Sequence, residues 1–190
     1  GPQQGVNVAK QMVDNPHPYI VGFGMGGAKN AFTLEDYAPA FTLAEEAGYP
    51  STVHAGELCG PERVWDAINF LPIRRIGHGV NSILDAKLLD ELVKRNIHLE
   101  ICPGSNLSLS IFADWDSHPL PSFISKGISV SLNSDDPPFF HTSVGLEYIN
   151  SAKHMNISLE KLKNISLMAM DASFADADTK SRLMNKIIEF

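Results

Sequence analysis

Residues 75–106 read RIGHGVNSILDAKLLDELVKRNIHLEICPGSN, and this stretch decides the fold. Arg75-Ile76-Gly77 is a short apolar run that stops at His78-Gly79. A helical pattern follows from about Ser82, with Leu84, Leu88, Leu92 and Val93 spaced to face inward. The chain then returns to a second short run, Ile97 to Cys102, stopped by Pro103-Gly104-Ser105-Asn106. Two strands joined through a helix must lie parallel, because the connection crosses over right-handed before the chain pairs again.

The same beat extends in both directions. Upstream, Tyr19 to Phe23 is expected as a strand running into Gly24-Met25-Gly26-Gly27, with Pro16 and Pro18 barring a helix from entering it. Thr33 and Asp36 have the spacing of a capping box, opening a helix through Tyr37, Phe41 and Ala44 that stops at Gly48. Ser51-Thr52-Val53 leads into His54-Ala55-Gly56-Glu57, and Pro61 opens a helix carrying Val64, Trp65, Ile68 and Phe70. Downstream, a short helix around Phe123 and Ile124 ends at Gly127, and Ile128 to Leu132 forms a fifth strand. Asn133-Ser134-Asp135-Asp136-Pro137-Pro138 stops it, and only helices follow, roughly 143–155, 158–173 and 179–189.

Five such units fit either an open doubly wound sheet or a (β/α)8 barrel. No GxGxxG or GxxxxGK[ST] loop follows any strand, which removes the phosphate-cradling reading of an open sheet. Polar residues instead end nearly every strand, the layout of a barrel whose site gathers at the C-terminal ends of its strands. Eight units take about 250 residues, so strands one to three, roughly 100 residues, are expected to be absent. The expectation is therefore α/β: the C-terminal part of a TIM barrel of the metal-dependent hydrolase type, strands four to eight plus terminal helices. Residues 1–190 then form a single incomplete domain, with an open edge and an exposed apolar barrel interior that invite pairing.

Composition narrows the function. A net charge of −7 leaves no basic stripe for nucleic acid or an anionic membrane, so a small-molecule substrate is expected. Cys59 and Cys102 are too few for a disulfide framework and read as free thiols; with no leader or membrane span, the expected location is cytoplasmic.

Taken together, the strand ends supply Gly27, His54 with Glu57, His78, Asn106, and Asp135 with Asp136. Two imidazoles and up to three carboxylates suit a borderline divalent ion such as zinc, which makes water a usable nucleophile near neutral pH. Glu57 is a candidate proton donor, and His78 a group to hold or deprotonate the nucleophile. Taken singly each has a structural reading: Asp-Asp-Pro-Pro, for example, is a good turn and helix start. Their joint occurrence favours chemistry. His141 reads as pocket wall or helix start, His118 as loop scaffolding, His98 as a strand residue, His17 and His154 as surface, Trp65 as core, and Asn106 as a loop-fixing or outer-shell residue.

His54-Ala55-Gly56-Glu57, Arg75-Ile76-Gly77-His78-Gly79, Cys102-Pro103-Gly104-Ser105-Asn106 and Ser131-Leu132-Asn133-Ser134-Asp135-Asp136-Pro137 resemble, in this order, the adenosine deaminase family, and their wording is similar to bacterial members. The resemblance implies one zinc per complete active site, with His54 as the third zinc-binding histidine and Asp135 as a ligand that also contacts the zinc-activated hydroxide. It implies that Glu57 protonates purine N1 and His78 positions and activates that hydroxide. Asp136 would accept a hydrogen bond at N7, and the backbone N–H of Gly27 would meet N3. The implied activity is hydrolytic deamination of adenosine and deoxyadenosine to inosine-type products and ammonia in purine salvage; adenine or AMP deamination is the alternative. The family's His-x-His pair occurs nowhere in the 190 residues. The chain alone is thus expected to be inactive, with the N-terminal half, on a separate chain or otherwise, as its partner; a non-catalytic half-barrel is the rival of another class. Where Gly24, Ala28 and Lys29 stand, the family usually carries acidic residues.

Overall fold

The computed structural model describes residues 1–27 and 32–190, so Ala28 and Lys29 lie outside the described residues. Five strands, β1 (Phe23–Met25), β2 (Ser51–Ala55), β3 (Arg75–His78), β4 (His98–Ile101) and β5 (Val130–Leu132), form one sheet in the order of the chain. Every neighbouring pair is parallel. Helices α1 (Pro2–Asp14), α2 (Leu34–Glu46), α3 (Pro61–Phe70) and α4 (Ala86–Lys94) occupy the first part of the chain. Two short helices, α5 (Pro103–Ser108) and α6 (Leu120–Lys126), fill the β4–β5 connection. After β5 come α7 (Pro137–Phe140), α8 (Val144–His154), α9 (Leu159–Ala172) and α10 (Ala177–Glu189).

Local chemistry sets the helix ends. Thr33 and Asp36 make both bonds of the capping box, and left-handed Gly48 follows the end of α2. Ser143, Ser158 and Asp176 cap α8, α9 and α10 through their side chains, and Gly127 terminates α6 with φ +82°. Thr33→Ala should therefore cost about 1 kcal/mol in denaturant unfolding, since it strips the first turn of α2 of its acceptor. An unchanged midpoint would show that α1, packed beside it, holds that turn unaided.

Three expectations shift. The first strand begins at Phe23, whose N–H bonds to the Pro50 carbonyl, and not at Tyr19. Tyr19 and Val21 are exposed, and Ile20 is turned back onto the His17 carbonyl. After β3 the chain takes a 3-10 turn over Val80–Leu84 before Asp85 caps α4. That rephasing leaves Leu84 71% exposed and Val93 at the flank, while Leu88, Leu89 and Leu92 face in. Residues 2–14, to which the sequence pattern assigned no element, form α1 against α2, burying Ala9 and Met12.

Strand alternation divides the sheet. Val53, Ile76, Leu99, Ile101 and Val130 are fully buried on one face. Their strand neighbours present a polar layer in place of the expected apolar interior. Arg75 pairs with Glu100 at 2.9 Å, Thr52 donates to Glu100, and the Arg75 guanidinium lies 3.5 Å from the centre of the Phe174 ring. The His98 ring nitrogens lie 2.8 and 2.9 Å from the hydroxyls of Ser129 and Ser131. Among the described residues no helix is long and apolar enough to cross a membrane.

Candidate active site

The carboxyl ends of β2, β3 and β5 bring four candidate residues to one rim. His54 stands on β2 opposite Gly77 of β3. A Cβ at Gly77 would fall 2.8 Å from the His54 Nδ1, so the ring occupies space that only a glycine leaves open. Gly26 gives similar room on the β1 side, where a Cβ would stand 3.5 Å from the same nitrogen.

The His54 and His78 rings meet edge to face, 5.1 Å between centroids. His78 ends β3 in the left-handed region at φ 63°, followed by Gly79 at φ 66°, and these turn the chain sharply out of the sheet. Its imidazole is 2% exposed, with Nε2 at 3.5 Å from Glu57 Oε1 and 3.8 Å from Asp135 Oδ2. Asp135 also has φ 54° and accepts a 2.7 Å hydrogen bond from Ser105 Oγ. A residue with a side chain costs on the order of 1 kcal/mol in that region, and such strain gathers at functional sites. Two of the four clustered residues carry it.

The remaining two candidates flank this group. Asp136 follows directly and stands at the start of α7, yet its exposed carboxylate does not cap that helix; its backbone carbonyl accepts from Phe139 and Phe140 instead. Gly27 lies past β1 with φ +93°, and a Cβ there would meet no described atom within 4 Å.

Behind the rim is a buried layer. Asn106, fully buried at the start of α5, reaches His78 Nδ1 at 3.3 Å through its amide nitrogen. His118, 3% exposed, lies 3.2 Å from Asn106 Oδ1 and accepts from the Leu120 N–H. Burial pushes the His118 pKa down to about 3, so the ring is neutral. The sequence reading took His118 as scaffolding; it is wired to the rim. Glu147, also fully buried, bridges the Gly104 N–H and the Thr142 hydroxyl and so ties α5 to α8.

Cys102 and Ser105 were not singled out from the sequence. The Cys102 sulfur, a His78 nitrogen and an Asp135 oxygen all lie within 4.8 Å of one another. Burial, and then the nearby charges of Asp135 and Glu147, push the thiol above its ordinary range. Both lie in the Cys102–Asn106 motif just past β4, which was the available signal, although the Asp135 partner of Ser105 is 30 residues away.

The other histidines make local contacts. His141 closes α7 at φ 49°, His154 stacks on Trp115, and His17 packs beside Tyr19. Trp65 is half-buried and donates to Asp85.

The donors fit a divalent ion of zinc's character. The His78 imidazole and the Asp135 carboxylate approach to 3.8 Å, and the His54 ring stands against the edge of His78, nitrogen and oxygen donors of the kind zinc takes. The larger cavities lie elsewhere. One of about 780 Å³ sits at the amino ends of the strands, lined by Ser51, Arg74, His98 and Phe174, and one of about 940 Å³ lies among α8, α9 and α10. Neither is lined by His54, Glu57, His78 or Asp135.

A family model described as adenosine deaminase matches residues 6–190. The chain is 40% identical over 187 residues to a protein named adenine deaminase from Agrobacterium fabrum, covering 98% of this chain and 58% of the relative. A solved structure of adenine deaminase from Arthrobacter aurescens matches with a TM-score of 0.93 at 27% identity, over 100% of this chain and 57% of that one. An amidohydrolase from Burkholderia ambifaria with bound Zn matches at TM-score 0.91 and 23% identity, over 99% of this chain and 53% of its own, a likeness of fold. The chain thus spans somewhat over half the length of the relatives it matches, and its fold is the C-terminal part of a (β/α)8 barrel of the metal-dependent hydrolase type. With the family model matched over residues 6–190 and the strand order in agreement with the related folds, the chain belongs to the adenosine deaminase family.

Proposed function

We propose that the protein carrying this chain hydrolyses the 6-amino group of a purine, adenine first and adenosine next, releasing ammonia. One observation carries the reading: the buried His78 imidazole is held between the carboxylates of Glu57 and Asp135, with His54 against its edge. Adenine is favoured because the relatives at about 40% identity bear the name adenine deaminase.

In this reading His54 and Asp135 hold a divalent ion, zinc by donor chemistry, which when bound supplies a Lewis acid that brings the pKa of water to about 7. The chain's own groups do the rest. Glu57, as a carboxylic acid, gives its proton to purine N1, which makes C6 electrophilic. His78 holds the attacking water in line with C6, and Ser105 fixes the carboxylate of Asp135 that faces it. Asp136 accepts a hydrogen bond at N7, and the Gly27 N–H meets N3. General acid work of the Glu57 kind is worth roughly 10²–10⁴ in rate. The chain alone is proposed to be inactive, since the family's His-x-His pair is supplied by no residue of the 190. The unbridged Cys59 and Cys102 suit a reducing cytoplasm, where purine salvage would use this reaction.

The test is ammonia release from adenine, adenosine and AMP in parallel. It compares the chain alone with the chain extended at its N-terminus by the corresponding segment of the Agrobacterium fabrum relative. Turnover of adenine by the extended form is expected, with adenosine slower. A well-folded, zinc-loaded extended form that releases ammonia from none of the three sinks the proposal.

A further inference from the structure

We propose that His118 and Asn106 are positioning residues that fix which ring nitrogen of His78 carries its proton. The chain of bonds starts at a group whose role cannot be exchanged. The Leu120 backbone N–H, at the start of α6, only donates, and it points at His118 Nδ1 from 3.2 Å. His118 Nδ1 must therefore present a lone pair, and because burial keeps the ring neutral, its hydrogen sits on Nε2. Nε2–H donates to the Asn106 side chain at 3.2 Å, which must offer its carbonyl oxygen. That orients the amide so that its nitrogen, again only a donor, faces His78 Nδ1 at 3.3 Å. His78 Nδ1 is left as the acceptor, and its proton resides on Nε2.

All three side chains are nearly or fully inaccessible, at 0–3% exposure, so bulk water does not compete for these bonds. A flip of the Asn106 amide would set N–H against N–H at His118, an unsatisfied buried contact costing on the order of 1–3 kcal/mol. The orientation is thereby locked from a backbone amide 42 residues away from His78.

The consequence for the site follows from where Nε2 points. It faces Glu57 Oε1 at 3.5 Å and Asp135 Oδ2 at 3.8 Å, so His78 presents an N–H to the rim and not a lone pair. It can hold the oxygen of a water by donation. The catalytic meaning rests on the deaminase reading above; the tautomer itself does not.

The experiment uses the full chain with 15N-labelled histidine and long-range 1H–15N spectra. There are seven histidines, and His78 is assigned by difference with His78→Gln. In the unmodified chain the proton is expected on Nε2. Asn106→Asp, isosteric but accepting on both sides, should move it to Nδ1. In the extended, zinc-loaded form the same substitution should lower kcat about 100-fold or more with little change in KM, the pattern of a wrong tautomer. His118→Phe, which frees the amide to turn, should give a mixture of both tautomers. A proton found on Nδ1 in the unmodified chain overturns the proposal, and needs no variant to fold. So does Asn106→Asp with Nε2–H retained, or with kcat unchanged. An extended form that deaminates no purine while the spectra behave as expected defeats the deaminase reading and leaves the relay standing.

Discussion

Gly77→Ala is expected to weaken zinc binding by roughly ten- to a hundredfold while leaving the fold intact. Gly77 pairs with His54 across β2 and β3, and both side-chain positions point to the same side of the sheet. A methyl group there would lie 2.8 Å from Nδ1 and 3.0 Å from Cγ and Cε1 of the imidazole, closer than packed carbons tolerate. The ring must swing away, because the opposing atoms belong to it and not to the backbone. The Gly77 backbone itself has no left-handed angle, so alanine fits the strand. The substitution thus separates placing the ligand from holding the sheet. Calorimetric titration of the extended form with zinc, beside thermal melts of the same samples, reads both. Unchanged affinity would show that His54 is not a ligand, or that its ring has another productive position.

Acid should unfold the chain steeply, with the loss confined to a window set by two buried histidines. Burial, and then the charge of Arg75, lowers the His98 pKa to about 4, and burial lowers that of His118 to about 3. Unfolded histidine titrates near 6.5. Between those values the unfolded chain binds protons that the folded chain does not, so stability rises with pH there. It is complete above about pH 6.5 and falls as pH drops, at up to about 1.4 kcal/mol per unit for each histidine. The His98 contribution levels off near pH 4, where the folded state also takes up a proton. Urea midpoints from pH 7.5 to 4 are expected to fall throughout the lower part of that range, and His98→Gln should flatten the slope by about one proton. A slope that His98→Gln leaves unchanged would mean the ring is hydrated in the folded protein.

Much of this architecture was legible because punctuation is local. Thr33 with Asp36, Gly48, Gly127, Ser143 and Ser158 each act on the adjacent turn, and each does in space what its type implies. The convergence of His54, His78, Glu57 and Asp135 was readable from their places at successive strand ends. Relations between distant segments were not. Tyr19, Ile20 and Val21 have strand-forming side chains, yet strand pairing waits for Phe23 to meet Pro50. Leu84 keeps helical spacing but belongs to the 3-10 turn before Asp85. His118 and Ser105 acquire meaning only when α5 folds beneath β3 and β5 and brings partners to them. The polar wall of Thr52, Arg75, His98 and Glu100 is invisible in the average hydropathy of the strands, since alternate residues cancel.

The left-handed backbone at His78 and Asp135 sets a limit on improving this protein. Glycine would relieve the backbone at either position, but at His78 it would empty a buried site and leave the Asn106 amide without its acceptor, and at Asp135 it would strip Ser105 of its partner. The strained pair therefore persists on its contacts as well as its chemistry, and a more heat-tolerant variant has to be sought away from the rim.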